Sequence, residues 1–304
     1  MSDNLIEFSP LVGIPENLEP NLRRIVAPNP SPMTFRGTNT YLIGQKDIAV
    51  IDPGPNSSSH LYSILNSLKS TQQICYILVS HTHLDHSPLA KPLSDKCGVP
   101  ILAFGDANAG RSPIMRSLSK TGLVDGGEGV DIMFMPDHFL KHGEIIKTSE
   151  WKLEVIHTPG HIGNHISLAW DNACFTADHV MGWASSLISP PDGDLTDFMS
   201  SCQLLLSRRW RVFYPGHGAP IHQPNDRLKW LIKHRKNRET SILVALESGP
   251  ATVKSLVTQI YTDTPRALRE AAERNVLAHL ISLYEHNKII ATKPLCAQSK
   301  FSLM

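Results

Sequence analysis

The hexapeptide His81-Thr82-His83-Leu84-Asp85-His86 constrains this chain more than any other feature of its sequence. It follows directly on ICYILVS, an apolar, β-branched run suited to a strand buried on both faces. The hexapeptide therefore sits on a loop at the C-terminal end of a buried strand. Imidazole and carboxylate are both groups that zinc accepts as ligands. Alternate residues of an extended loop point the same way, so His81 and His83 can share one cation. Asp85 and His86 fall beyond the turn and can face a second.

Three further candidates follow in order, each after a strand-like run and beside small residues. His161 lies in TPGHIGNH, Asp178 in FTADHVMG and His217 in YPGHG. Taken singly, each is an ordinary turn histidine or turn aspartate. Taken with the hexapeptide they complete a set. Gly160, Gly216 and Gly218 let the backbone bend so that an imidazole can face a metal without Cβ crowding.

The surrounding text is mixed α/β. TNTYLIG, DIAVIDPG, VPILAFG, WKLEVIH, HISLAWDN, ACFTAD and RVFYPG read as short strands closed by turns, and SSSHLYSILNSLKS, PLAKPLSDKCG and MSSCQLLLSRRW read as helices. Two similar halves of this kind predict sheets sandwiched between helices. The Gly-rich stretch 105–130 reads as a mobile surface excursion. Beyond Gln223 the text turns almost wholly helical, with helix starts at Asp226, Thr252 and Thr264-Pro265, and NKIIATKPL forms a short β-wing. We therefore divide the 304 residues into a first domain over 1–223 and a second, winged-helix-like domain over 224–304. Five cysteines, with no CxxC pair, read as thiols of a reducing compartment. MSDNLIEFSP lacks the pattern of a secretory signal, and no run approaches the ~18 apolar residues of a spanning helix. The expected location is cytoplasmic, with no membrane partner.

At this point the sequence resembles the metallo-β-lactamase superfamily, on the ordered motifs HTHLDH, TPGH, AD and PGHG between about Asn39 and Pro220. The resemblance implies an α/β fold, a four-layered αββα sandwich with the site at one edge of its two sheets. It implies that His81, His83 and His161 hold one zinc, that Asp85, His86 and His217 hold the other, and that Asp178 bridges them. Manganese or iron are alternatives to zinc at such carboxylate-containing sites. Asp52 in IDPG matches the family's strand-end aspartate and is expected to orient ligand histidines. Within the superfamily the chain resembles human β-lactamase-like protein 2 and its bacterial relatives, on NPSPMTFRGTNTYLIG (29–44), TPGHIGNH (158–165), SPPDGDL (189–195) and HRKNRE (234–239) with a lactamase-associated winged-helix tail.

Two divalent ions lower the pKa of a shared water, so the expected nucleophile is a metal-bridging hydroxide, with Asp85 orienting it or taking its proton. An aspartate at position 178, where the antibiotic-opening enzymes often place a cysteine, disfavours a β-lactam substrate. The resemblance to the human-type relatives implies an endoribonuclease acting on single-stranded RNA. The rival readings are a hydroxyacyl-glutathione-type thioesterase taking a small ester or thioester, and a non-catalytic winged-helix regulator. A homodimer is left open. His165 is a candidate proton donor to the leaving group, His179 is read as structural, and Trp183, Ser185 and Ser186 are candidates to line the mouth of the cleft. Arg227, Lys229, Lys233, Arg235, Lys236 and Arg238 form a basic stretch that could hold RNA phosphates or be a solvated helix face, with Trp230 in the core. On the RNA reading, truncation after Gln223 should weaken binding to a long polymer more than to a small ester.

Overall fold

The computed structural model describes residues 8–121, 129–262, 265 and 268–304. The first half contributes β1 (Glu16–Glu19), β2 (Leu22–Val26), β3 (Asn39–Ile43), β4 (Asp47–Ile51), α1 (Ser58–Asn66), β5 (Gln73–Val79), α2 (Ala90–Cys97), β6 (Ile101–Ala103), α3 (Pro113–Thr121) and β7 (His138–Phe139). Its strands form one seven-stranded sheet in sequence order, antiparallel from β1 to β4 and parallel from β4 to β7. The second half contributes β8 (Ile145–Lys147), β9 (Lys152–His157), β10 (Ile166–Trp170), β11 (Ala173–Ala177), α4 (Leu195–Leu206) and β12 (Val212–Pro215). These strands form a five-stranded sheet in the order β12-β11-β10-β9-β8.

Strict alternation along the strands builds the layers. Tyr41, Ile43, Ala49, Ile51 and Leu78 of the first sheet meet Leu153, Val155, Ile166, Leu168, Phe175 and Tyr214 of the second in a shared inner core. Their neighbours Leu42, Ile48, Val50, Ile77 and Val79 face the other way, against Leu61 and Ile64 of α1 and Leu93 of α2. On the far side Ile156, Ala169, Cys174 and Phe213 pack on Phe198, Cys202 and Leu205 of α4. The result is the αββα sandwich that the sequence motifs imply. Only the second half of β5 is buried on both faces; Cys75 and Tyr76 are partly covered and Gln73 is exposed.

The C-terminal segment contains α5 (Pro224–Leu246), α6 (Val253–Ile260), α7 (Arg269–Glu285) and a wing of β13 (Ile289–Ala291) paired with β14 (Phe301–Leu303). Thr252 caps α6 as expected. α5 starts two residues before the expected Asp226: Pro224 holds the first helical position, where its missing N–H costs nothing, and Asp226 sits in the first turn. Thr264 lies outside the described residues.

Two findings correct the sequence reading. The stretch 105–130 is not simply a surface excursion. It contains α3, whose Met115 and Leu118 are buried with Ile242, Leu256, Val276 and Phe301 in the core of the C-terminal unit; 122–128 lie outside the described residues. One apolar pair at i, i+3 inside Gly- and Ser-rich text was enough to dock a helix. Second, α5 serves both units. Leu228, Leu231 and Ile232 complete the outer core of the sandwich, while Ile242 and Leu246 belong to the C-terminal core. Truncation after Gln223 would strip buried leucines from the sandwich, so it does not cleanly separate polymer binding from chemistry.

His60 of α1 is buried, and its Nε2 donates to Thr40 Oγ1 (2.8 Å), which donates to Asp52 O (2.7 Å). Burial lowers its pKa to about 4. The unfolded chain takes up this proton near pH 6.5, so His60 contributes stability above that pH that is lost as pH falls towards about 4. In urea unfolding between pH 7 and pH 4, His60→Gln should show a shallower loss of stability than the native protein. Parallel pH profiles would contradict this.

Candidate metal centre

Every candidate ligand leaves the C-terminal end of a strand. β5 ends at Val79 and delivers Ser80–His86; β9, β11 and β12 deliver His161, Asp178 and His217. Asn39 and Tyr41 tie the two sheets at this edge, with Asn39 Nδ2 bonding Pro215 O and Gly218 O (both 2.9 Å) and Tyr41 Oη bonding Pro215 O (2.7 Å).

The side chains converge in two groups, His81, His83 and His161 in one, and Asp85, His86, Asp178 and His217 in the other, each with its donor atoms within 4.8 Å of one another. His83 Nδ1 lies 3.0 Å from both His81 Nε2 and His161 Nε2. In the second group His217 Nε2 lies 3.1 Å from Asp85 Oδ2 and 3.3 Å from Asp178 Oδ2. Asp178 Oδ2 is also 3.8 Å from His161 Nε2 and thus lies between the groups, as a bridging ligand must. Asp178 Oδ1 is buried without a hydrogen bond.

The outer nitrogens fix the tautomers. His161 Nδ1 donates to Leu187 O (2.7 Å), and His217 Nδ1 to Gly37 O (3.2 Å). His86 Nδ1 donates to Asp52 Oδ2 (3.0 Å). Ser80 Oγ donates to Asp52 Oδ2 (2.7 Å) and so accepts from His81 Nδ1 (2.9 Å). Each of these four rings thereby keeps a proton on Nδ1 and turns Nε2 to the centre, where it can bind a metal once it carries no proton. Asp52 serves two imidazoles at once, and it does so from a left-handed backbone, φ 51°. Gly216 is a glycine because a Cβ there would lie 2.3 Å from Asp178 Oδ1 and 2.8 Å from the His86 ring.

The two halves differ electrically. Burial holds His81 and His161 below the usual imidazole range and His83 at about 3. Burial also opposes charge on His217, but Asp178 and Asp85 outweigh it and raise the group to about 9. His86 is likewise raised, against burial, by Asp85, Asp178 and Asp52. The carboxyls of Asp85 and Asp178 are held well below their usual range despite burial, by His86 and His217. The cluster of carboxylates thus calls for positive charge, which cations or protons can supply. The donor set fits a pair of divalent metals.

A family model for the metallo-beta-lactamase superfamily matches residues 33–231, and one for the beta-lactamase associated winged helix domain matches 252–294. The chain belongs to the metallo-beta-lactamase superfamily. It is 30% identical to a beta-lactamase-like protein 2 homolog of Drosophila melanogaster over 93% of this chain and 94% of that protein. It is 27% identical to an atrochrysone carboxyl ACP thioesterase of Claviceps purpurea, over 86% and 78% respectively. A beta-lactamase domain protein from Burkholderia ambifaria shares the fold, with a TM-score of 0.80 at 19% identity over 98% of this chain and 96% of that one. Members of the superfamily use a dinuclear metal site; this chain is a metal-dependent hydrolase of the superfamily and has two His/Asp groups that could bind metal.

The remaining sequence candidates fall elsewhere. His165 is fully buried: its Nδ1 bonds Thr158 Oγ1 (2.9 Å) and its ring lies behind His81, with burial holding it neutral. It cannot hand a proton to a leaving group from that position. His179 is structural, packed on Phe198 and 3.5 Å from Cys202 Sγ. Ser186 does not line a cleft; it is buried, with Oγ 2.6 Å from Asp178 O. The basic stretch is half consumed internally. Arg227 donates to Met181 O and Ala184 O, Arg235 to Ser186 O, and Arg238 to Ile260 O, leaving Lys229, Lys233 and Lys236 exposed.

Trp183, a candidate for the cleft mouth, belongs to an aromatic ledge whose other member, Phe35, carries no signal in the sequence. Phe35 stacks on Trp183 (5.0 Å, 16°) and on Phe8 (5.9 Å, 20°), and exposed Arg36 lies over Phe35. Gly37 O holds His217, and Gly218 abuts Trp183, so the ledge flanks the second ligand group. Phe35 has φ 55°, a strained setting for a bulky residue.

Asp52→Ala should weaken metal binding about 10- to 100-fold, read by competition with a chromophoric chelator; unchanged affinity would remove Asp52 from the account. Loading at pH 7 should release protons, because His86 and His217 are protonated without metal, and affinity should rise up to pH 9. Calorimetry in buffers of different ionisation enthalpy measures this directly. Metal uptake without proton release would contradict the charge balance described.

Proposed function

We propose that the protein is a dinuclear metal hydrolase that cleaves phosphodiester bonds in single-stranded RNA. The carrying observation is the ledge beside His217: half-buried Trp183, stacked on Phe35, stands next to the ligand group, and exposed Arg36 offers a cation to a phosphate. The seven ligands proposed are His81, His83 and His161 at one position, Asp85, His86 and His217 at the other, with Asp178 between them. Zinc suits this His-rich set, and manganese or iron suit its carboxylates.

When bound, the two cations would supply an activated water and neutralise charge on the scissile group. The chain's own residues do the rest. Asp85 is the ligand carboxylate with the most exposed side chain, 26%, so it faces the incoming substrate. Held ionised by His86 and His217, it orients the attacking water by accepting a hydrogen bond. Asp52 and Ser80 hold His81 and His86 in register. The ledge positions the polymer.

A second reading, thioester hydrolysis, has its own support. Leu84 in the ligand loop is exposed, as are Ile132 and Met133 in the segment bonded to it through Leu84 N to Gly129 O and Asp131 N to Thr82 O. Such apolar side chains suit an acyl chain, and the Claviceps relative is named as an acyl-carrier thioesterase.

The two readings separate on one panel. Metal-loaded protein offered unstructured RNA and a small thioester should turn over the RNA, and His83→Ala should abolish this. Trp183→Ala should weaken RNA binding by about 1–3 kcal/mol for each base that loses its stacking partner, and Arg36→Ala should reduce its salt dependence. Both should change thioester turnover far less. Thioester turnover without RNA cleavage would replace the first reading with the second.

A further inference from the structure

Arg235 lies buried in the middle of α5, 3% exposed, and pairs with no carboxylate among the described residues. A buried cation without an anionic partner is costly unless its hydrogen bonds are specific. Here they are. Nη2 donates to Ser186 O and Nη1 to Asn275 Oδ1 (3.0 Å), with the guanidinium over the Phe198 ring. Asn275, on α7, also accepts from Ile188 N (3.2 Å), and its Nδ2 donates to Ala271 O (3.0 Å), which fixes the amide orientation. The segment Ser186–Ile188 is thus clamped at both ends from the C-terminal unit.

The middle and start of that segment touch the metal centre. Leu187 O accepts from His161 Nδ1 (2.7 Å). Ser186 Oγ lies 2.6 Å from Asp178 O and 2.8 Å from His179 O, sharing its one proton between them. The segment belongs to no helix or strand, so no ladder of backbone hydrogen bonds holds these groups in place. If Leu187 turned away, His161 would lose the acceptor that keeps its proton on Nδ1, and Nε2 would no longer be a reliable ligand.

We propose that Arg235 and Asn275 are positioning residues for the metal centre, holding Leu187 O against His161 and Ser186 against the Asp178 backbone. The C-terminal unit then sets the geometry of the three-histidine position from outside the domain that carries the ligands. This rests on the metal-site reading above and not on the choice of substrate.

The test uses the full-length protein loaded with cobalt(II), whose absorption reports ligand geometry. Native protein, Asn275→Ala, Arg235→Ala, Arg235→Lys and the exposed control Lys236→Ala are titrated against a competing chelator, with circular dichroism to verify folding. Native protein and the control should bind two equivalents. Asn275→Ala should bind one equivalent with native affinity and the other about tenfold more weakly, with an altered cobalt band. Arg235→Lys keeps a donor for Ser186 O and should recover part of the loss that Arg235→Ala shows. A general loosening of the fold would weaken both equivalents together and would overturn the proposal. Folded Asn275→Ala and Arg235→Ala with native affinities and spectra would overturn it as well. Native protein that binds no cobalt would instead overturn the metal-site reading itself. If Arg235→Ala does not fold, Asn275→Ala, which removes only an amide, still decides the question.

Discussion

Three carboxylates are held close together at one sheet edge, and their charge governs how the surrounding segments are arranged. Asp52, Asp85 and Asp178 lie around His86, and the latter two also face His217. Charges brought so close in a buried setting must be compensated, because the interior screens them poorly. The imidazoles do this in part by drawing protons on the Asp85 side, and cations would do it fully. The strained backbone at Asp52 and at Ala177, φ 40°, flanks this same cluster. Strain of this kind persists where the surroundings over-determine it. Here the surroundings are two sheets tied together by Asn39 and Tyr41.

The convergence of the seven candidate ligands was legible in the sequence because metal chemistry restricts donors to a few residue types and because strand ends place them. The sandwich was legible because alternation along YLI, IAVI and LEV sorts each residue to one of two cores. What the sequence hid depends on contacts between distant segments. Phe35 and Trp183 form a ledge only because the turn before β3 meets the loop after β11. Arg227 and Arg235 read as a charged helix face, yet they turn inwards, because the loop that follows Asp178 presents bare carbonyls to them. His165 looks like a cleft residue in text; burial behind His81 makes it part of the wall. α3 was masked by the glycines and serines around its two buried apolar residues.

The two units are therefore not a catalytic sandwich with an attached appendage. α5 contributes leucines to the sandwich and to the C-terminal core, α3 crosses from the first to the second, and Thr196 Oγ1 meets Ser282 Oγ at 3.0 Å. Arg235 and Asn275 extend this continuity to the ligands themselves. The site is consequently assembled from the whole chain: the sandwich holds the donor atoms, the turn at 34–37 and the loop at 181–188 lie beside them, and α5 and α7 brace that loop. The described residues contain no helix long and apolar enough to cross a membrane, and the five cysteines are all free thiols.

The central claim is that seven side chains hold a pair of metal ions. Anomalous diffraction from crystals of the zinc-loaded protein, collected on either side of the zinc edge, tests it most directly. Two peaks about 3.5–4 Å apart are expected. One should lie about 2.0–2.2 Å from His81 Nε2, His83 Nδ1 and His161 Nε2, the other equally close to Asp85, His86 and His217, with Asp178 touching both. Peaks elsewhere in the molecule, or none at this edge, would contradict it.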